Sequence, residues 1–111
     1  MLPSVAERIE HIDTAIDHIR EALLKQKKAS FTDNMTLRMA VERWLEIVSE
    51  ASRYIPQDMK STEPRINWRR LADLGNWLQH ADHRTDAGIL WDMVENDLEP
   101  LKVFVKRISG S

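Results

Sequence analysis

The sequence has no cysteine, which excludes a disulfide framework and any thiolate-ligated zinc site. Three glycines and four prolines in 111 residues leave few places where a helix must break. Aromatic residues make up only 6%, with one Tyr and two Phe. Ala, Leu, Ile, Met, Glu, Lys and Arg abound instead, a balance that favours helix over strand. No stretch approaches the roughly 18 apolar residues of a membrane span. The N-terminal MLPSVAERIEHID carries charge within its first ten residues and no apolar h-region, so a cytoplasmic location is expected. Neither sign of charge dominates: 16 Lys and Arg against 18 Asp and Glu give a net charge of −2. There is thus no overall pull towards nucleic acid, and any RNA contact has to come from a local basic patch.

What is present suits one soluble globular domain over residues 1–111, with 42% hydrophobic and 31% charged residues around a single core. Val5, Ile9, Ile12, Ile16, Ile19 and Leu23 step by four and three, which stacks them on one helical face. Ser4 and Glu7 form a capping box at its start, and Lys25, Lys27 and Lys28 suit its negative C-terminal end. After a polar joint at Ser30-Phe31-Thr32-Asp33, a second helix is predicted on Leu37, Val41, Trp44, Val48 and Ala51, ending before Pro56. Residues 57–66 lack periodicity and read as the longest loop. Asn67 can cap a third, shorter helix carrying Trp68, Leu71, Leu74 and Leu78 and ending near His80. A fourth runs from about Asp86 to Ile108 with Pro100 inside it, where a kink is expected. The fold predicted is all-α, an antiparallel four-helix bundle.

Helix one bears a second stripe of Glu7, His11, Thr14, His18 and Glu21. Its two histidines are two turns apart, about 10 Å along the axis, too far to share an ion. The stripe reads as a solvated polar face that could also meet a partner, and neither a metal nor a cofactor is expected. Of the four tryptophans, Trp44 and Trp91 fall among apolar positions and read as core, while Trp77 stays open between packing and base stacking. Arg65, Arg69, Arg70, His80, His83 and Arg84 gather positive charge at the third helix and its two ends. A histidine beside arginines can cleave RNA by activating the 2′-hydroxyl while a cation steadies the phosphate. The alternative is an ordinary surface histidine closing a helix.

From Arg38 onwards, the segments AVERWLEIVSEASRYIP (40–56), PRINWRRLADLGNWLQH (64–80) and ILWDMVENDLEPLK (89–102) resemble the HepT-like family, within the HEPN (higher eukaryote and prokaryote nucleotide-binding) domains. The resemblance implies a HEPN-like helical fold, a homodimer and a metal-independent ribonuclease toxin, restrained by a nucleotidyltransferase antitoxin. The family's pattern is an arginine, four residues, a histidine, one residue and a tyrosine. His80 matches the histidine, and Asn76 matches the asparagine that commonly follows the arginine. Gly75 stands at the arginine position and Asp82 at the tyrosine position, so both the phosphate-binding cation and the phenol that accepts an adenylyl group are missing. Arg70, ten residues before His80, lies about 15 Å away along the axis. Arg84 follows His80 and could fold back, or reach across a dimer, to supply the cation. Two functions remain open at this stage: an endoribonuclease toxin using His80 and Arg84, and a catalytically degenerate helical module that dimerises and binds a nucleotidyltransferase.

Overall fold

The computed structural model describes residues 2–80 and 86–110. They form six helices and, among the described residues, no strand: α1 (Val5–Leu23), α2 (Lys28–Asp33), α3 (Met35–Arg53), α4 (Gln57–Lys60), α5 (Trp68–His80) and α6 (Ala87–Ser109). The fold is all-α, as composition and periodicity predict. No helix of the described residues is long and apolar enough to cross a membrane.

Helix α1 begins as its sequence dictates. Ser4 Oγ accepts from the Glu7 amide at 3.1 Å, and the Glu7 carboxylate accepts from the Ser4 amide at 3.2 Å. Ile9, Ile12, Ile16 and Ile19 are buried, whereas Val5, placed on the same stripe by its spacing, is exposed in the first turn. Two short helices go beyond the sequence reading. The polar joint before α3 lies within α2, pinned by fully buried Phe31, whose ring packs against Trp91 at 5.6 Å. Six residues are too few to show a helical period, so the joint and the helix look alike in sequence. The cap of α3 is Asn34, whose side chain accepts from the Leu37 amide at 3.0 Å, rather than a residue of the Ser30–Asp33 joint. Residues 57–66, read as a loop, open with the single turn of α4.

Named contacts give the direction of the long helices. Arg8 covers the Tyr54 ring at 3.9 Å and His18 stacks on Trp44 at 5.4 Å, so α1 and α3 run antiparallel. Asp17 meets Lys102 and Arg20 meets Glu99, so α1 and α6 do too. Between α3 and α5, Arg53 reaches Ala72 while Ser49 reaches Gly75, again opposite in sense. One apolar cluster joins these helices, with Ile12, Ile16, Leu45, Val48, Leu90, Leu101 and Phe104 fully enclosed. Pro100 lies inside α6, which stays helical on both sides of it.

Candidate functional site

Helix α5 carries Gly75, Asn76 and His80, the described positions that the resemblance singles out. Asn67 Oδ1 accepts from the Arg70 amide at 3.0 Å at its start, and Leu71, Leu74 and Leu78 anchor it to the core. A helix anchored along that side turns Arg69, Asp73, Asn76 and His80 outward, because their spacing of four, three and four keeps them on one face. All four are exposed, and His80 is the last residue of the helix. Asp82 and Arg84, as well as His83, lie outside the described residues.

Gly75 faces helix α3. Its amide donates to Ser49 Oγ at 3.0 Å, and Ser49 Oγ in turn donates to the Ala72 carbonyl at 3.3 Å. A Cβ at position 75 would lie 3.1 Å from Ser49 Oγ, closer than a side chain comfortably sits. Ser49 is itself only 1% exposed, so it has little room to withdraw. Gly75 therefore sits at a close approach of two helices. The chain keeps glycine mid-helix despite an entropic cost of about 0.5–1 kcal/mol relative to alanine.

Positive charge reaches this region from α3. Arg43, Glu46, Ser49, Glu50 and Arg53 form one wall of a recess of about 350 Å³, and Gly75, Asn76 and Gln79 form the other. Arg53 donates from Nε and Nη2 to the Ala72 carbonyl, at 3.0 and 2.6 Å, which lays its guanidinium across α5 one turn before Gly75. Since the helices are antiparallel, Arg43 lies at the opposite end, towards Gln79 and the histidine. Its pairing with Glu46 at 3.3 Å is exposed, and such pairs hold a side chain only weakly. Sequence reasoning missed both arginines. Their spacing with Glu46 and Glu50 marks a polar flank of α3, but only the pairing of α3 with α5 shows that this flank borders Gly75.

The arginines singled out on α5 are engaged elsewhere. Arg70 pairs with Asp97 of α6 at 3.4 Å, and Arg69 pairs with Asp73 at 3.8 Å. Both border a second recess of about 510 Å³, between α5 and α6, whose walls include Trp77, Ile89 and Met93. Arg65 pairs with Glu63 at 2.8 Å, before α5 begins; the Arg65 guanidinium holds the Glu63 carboxyl below the usual carboxylate range. The histidine stripe of α1 borders α3: His11, Thr14 and His18 line a groove with Trp44 and Ile47, and His18 stacks on Trp44. Trp44, read as core, is thus half-buried at the edge of that groove. Among the described residues, no group of His, Asp or Glu is arranged to hold a metal ion.

A family model described as ribonuclease HepT-like matches residues 12–108. A probable ribonuclease HepT of Thermococcus cleftensis is 36% identical over 102 residues, which cover 92% of this chain and 93% of that protein. A Methanocaldococcus jannaschii protein named as an RNase is 39% identical over 72 residues, covering 65% of this chain and 66% of the relative. Another protein of that organism, also named as an RNase, is 30% identical over 103 residues, covering 89% of this chain and 78% of the relative. No solved structure gives a significant match. Since the family match spans nearly all of the chain, helix α5 and its histidine included, this protein belongs to the ribonuclease HepT-like family.

Proposed function

We propose that the chain is the toxin of a toxin–antitoxin pair, a cytoplasmic homodimer that cleaves RNA without a metal and is restrained by a nucleotidyltransferase partner. The observation that carries this reading is the position of His80: the family's histidine, exposed at the end of α5, beside an arginine-bearing recess. Its imidazole takes the proton of a ribose 2′-hydroxyl, and the freed oxygen attacks the adjacent phosphorus. The bond from phosphorus to the 5′-oxygen breaks, and that oxygen leaves with a proton drawn from solvent while the imidazolium returns its own to solvent. The products are a 2′,3′-cyclic phosphate and a 5′-hydroxyl. No oxidant or co-reactant is consumed.

The phosphate needs a cation that position 75 does not supply. Arg43, at the Gln79 end of the recess, is the closer candidate on α3. Arg53, over Ala72, suits a neighbouring phosphate of the strand, being about 12 Å from His80 along α5. Arg84 keeps its place as a third source of charge. Asp82 cannot accept an adenylyl group as a tyrosine would, so the partner restrains the toxin by binding or by modifying another residue.

The second reading, a degenerate module that dimerises and binds the nucleotidyltransferase without cutting RNA, is favoured by two features. Ser49 crowds the place of the motif arginine, and Glu46 and Glu50 offset the charge of Arg43 and Arg53. The deciding experiment is cleavage of a labelled RNA in EDTA by the purified protein, beside a His80→Ala control. Cleavage by the parent alone supports the toxin, with Arg43→Gln slowing it more than Arg53→Gln. No cleavage by either protein selects the module.

A further inference from the structure

We infer that the recess between α5 and α6 is a nucleobase-binding site, taking a base of single-stranded RNA beside the phosphate presented to His80. The inference rests on the ribonuclease reading for its substrate class and on separate geometry for its location. Helices α5 and α6 meet unevenly along their length. At the start of α5, Trp68 is packed edge-on against Phe104 at 4.9 Å, and its indole N–H donates to the Lys60 carbonyl at 3.1 Å, so that end is closed. Nine residues on, Trp77 rests partly buried on the core, and among the described residues no ring packs against it. It borders an opening of about 510 Å³ with Leu74, Ile89 and Met93, and Ile89 is 49% exposed. That volume lies within the range of about 300–1,000 Å³ typical of small-molecule sites.

The chemistry of the rim favours a nucleotide over an apolar side chain from a partner. Arg69, Arg70, Asp73 and Asn67 surround the apolar walls, offering donors and an acceptor for a base edge and cations for phosphate. Among the described residues, Arg69 pairs with exposed Asp73 at 3.8 Å and Arg70 with half-buried Asp97 at 3.4 Å; the exposed Arg69 pair in particular exchanges readily for an incoming phosphate. Trp77 precedes His80 by three residues on the same side of α5, about 4.5 Å along the axis. A base lying against the indole therefore leaves its own sugar and phosphate near the histidine. Stacking on a tryptophan accepts any base, so selectivity would come from Asp73 and Asn67 at the rim.

The test measures binding separately from cleavage. A fluorescein-labelled single-stranded RNA is titrated by anisotropy with the His80→Ala chain and with the same chain carrying Trp77→Ala or Trp77→Phe, each shown by thermal melting to be folded. The titrations are repeated with RNAs that have one abasic nucleotide at successive positions. The expected result is binding weakened about tenfold or more by Trp77→Ala and largely kept by Trp77→Phe. At one position the abasic RNA should bind alike to the chains with and without Trp77→Ala, because base and ring are two halves of one contact. If Trp77→Ala leaves RNA affinity unchanged, the site is not a base pocket, while cleavage in EDTA by the parent would leave the ribonuclease reading standing. If Trp77→Ala changes only the oligomeric state seen by light scattering, the recess is an interface between copies and the inference falls. Absence of RNA binding by every chain overturns the inference, and with no cleavage by the parent it overturns the ribonuclease reading too.

Discussion

Along the seam between α1 and α6, Lys102 is 9% exposed in its side chain, with its ammonium held by Asp13 and by Asp17 at 2.6 Å. Burial works against the charged ammonium, but the hydrogen bonds and charges of the two aspartates outweigh it and raise its pKa above the ordinary lysine value. Along α5, Arg69 pairs at longer range with exposed Asp73 and Arg70 with half-buried Asp97, while Arg53 rests on a backbone carbonyl. One flank of the molecule uses its charge to close a seam. The other keeps charge at the rims of two recesses, with a histidine on the ridge between them. A buried, satisfied charge fixes packing, whereas loosely held guanidinium groups can change partner at little cost. This difference separates the residues that hold the fold from those proposed to meet RNA.

The largest effect that would sharpen the contrast is on chemistry alone. His80→Ala should lower the rate of RNA cleavage by about 10²–10⁴-fold, the usual worth of a general acid or base, without changing the melting temperature, since the side chain is exposed. A fall in stability of the same order as the fall in rate would place His80 in the fold rather than in the site. The opposite pattern is expected across the α1–α6 seam. Asp13→Asn combined with Asp17→Asn leaves the Lys102 ammonium without a counter-charge. The cost should be about 1–3 kcal/mol in urea unfolding, below that of a fully buried pair because both aspartates are substantially exposed. Cleavage per folded molecule should not change. If it does, the two flanks are not independent.

Stability should respond to pH at both extremes, and at the alkaline end through this seam. A folded-state pKa raised above that of the unfolded chain means that Lys102 contributes its full stabilisation below the ordinary lysine value. That contribution is lost as pH rises through the folded-state pKa. The carboxyls of Glu63 and Glu7 are lowered instead, by the Arg65 side chain and by the Ser4 cap respectively. They stabilise above the ordinary glutamate value and lose that effect as pH falls through their folded-state pKa values. Melting temperatures across pH should show the alkaline loss diminished in Lys102→Met and the acid loss diminished in Glu63→Gln. Unchanged profiles would mean that these contacts persist equally in the unfolded chain.

Much of this arrangement can be read in the sequence where periodicity is long. The isoleucines of α1, the leucines of α5 and the capping box at Ser4 each carry a local rule, and each forms the element that the rule names. The short helices α2 and α4 do not, because six and four residues fall below a repeat that can be seen. Gly75, Asn76 and His80 could be placed on α5 from sequence. That Gly75 meets Ser49, or that Arg43 and Arg53 border it, depends on the register between helices separated by a connection of 14 residues, and no local pattern encodes that. Trp77 illustrates the same limit. Its spacing fits packing and stacking equally, and it rests partly buried on the core at the edge of the second recess.

The smallest effect concerns the glycine at position 75 of α5. Gly75→Ala should gain about 0.5–1 kcal/mol from helix propensity. Against that stands the new Cβ, 3.1 Å from the Oγ of a buried serine that already holds the Gly75 amide and the Ala72 carbonyl. The two effects should nearly cancel, leaving Gly75→Ala close to neutral in urea unfolding. Ser49→Ala removes the crowding oxygen and leaves its Cβ at 3.6 Å, an ordinary contact. In that background Gly75→Ala should therefore be stabilising, and the difference between the two backgrounds measures the coupling directly. Equal effects in both would mean that the serine yields freely and that packing does not require glycine. Gly75→Arg in the Ser49→Ala chain then becomes informative. A gain in RNA cleavage would show that the site lacks only its cation, and no gain would show that the groups on α3 already fill that role or that the chemistry is absent.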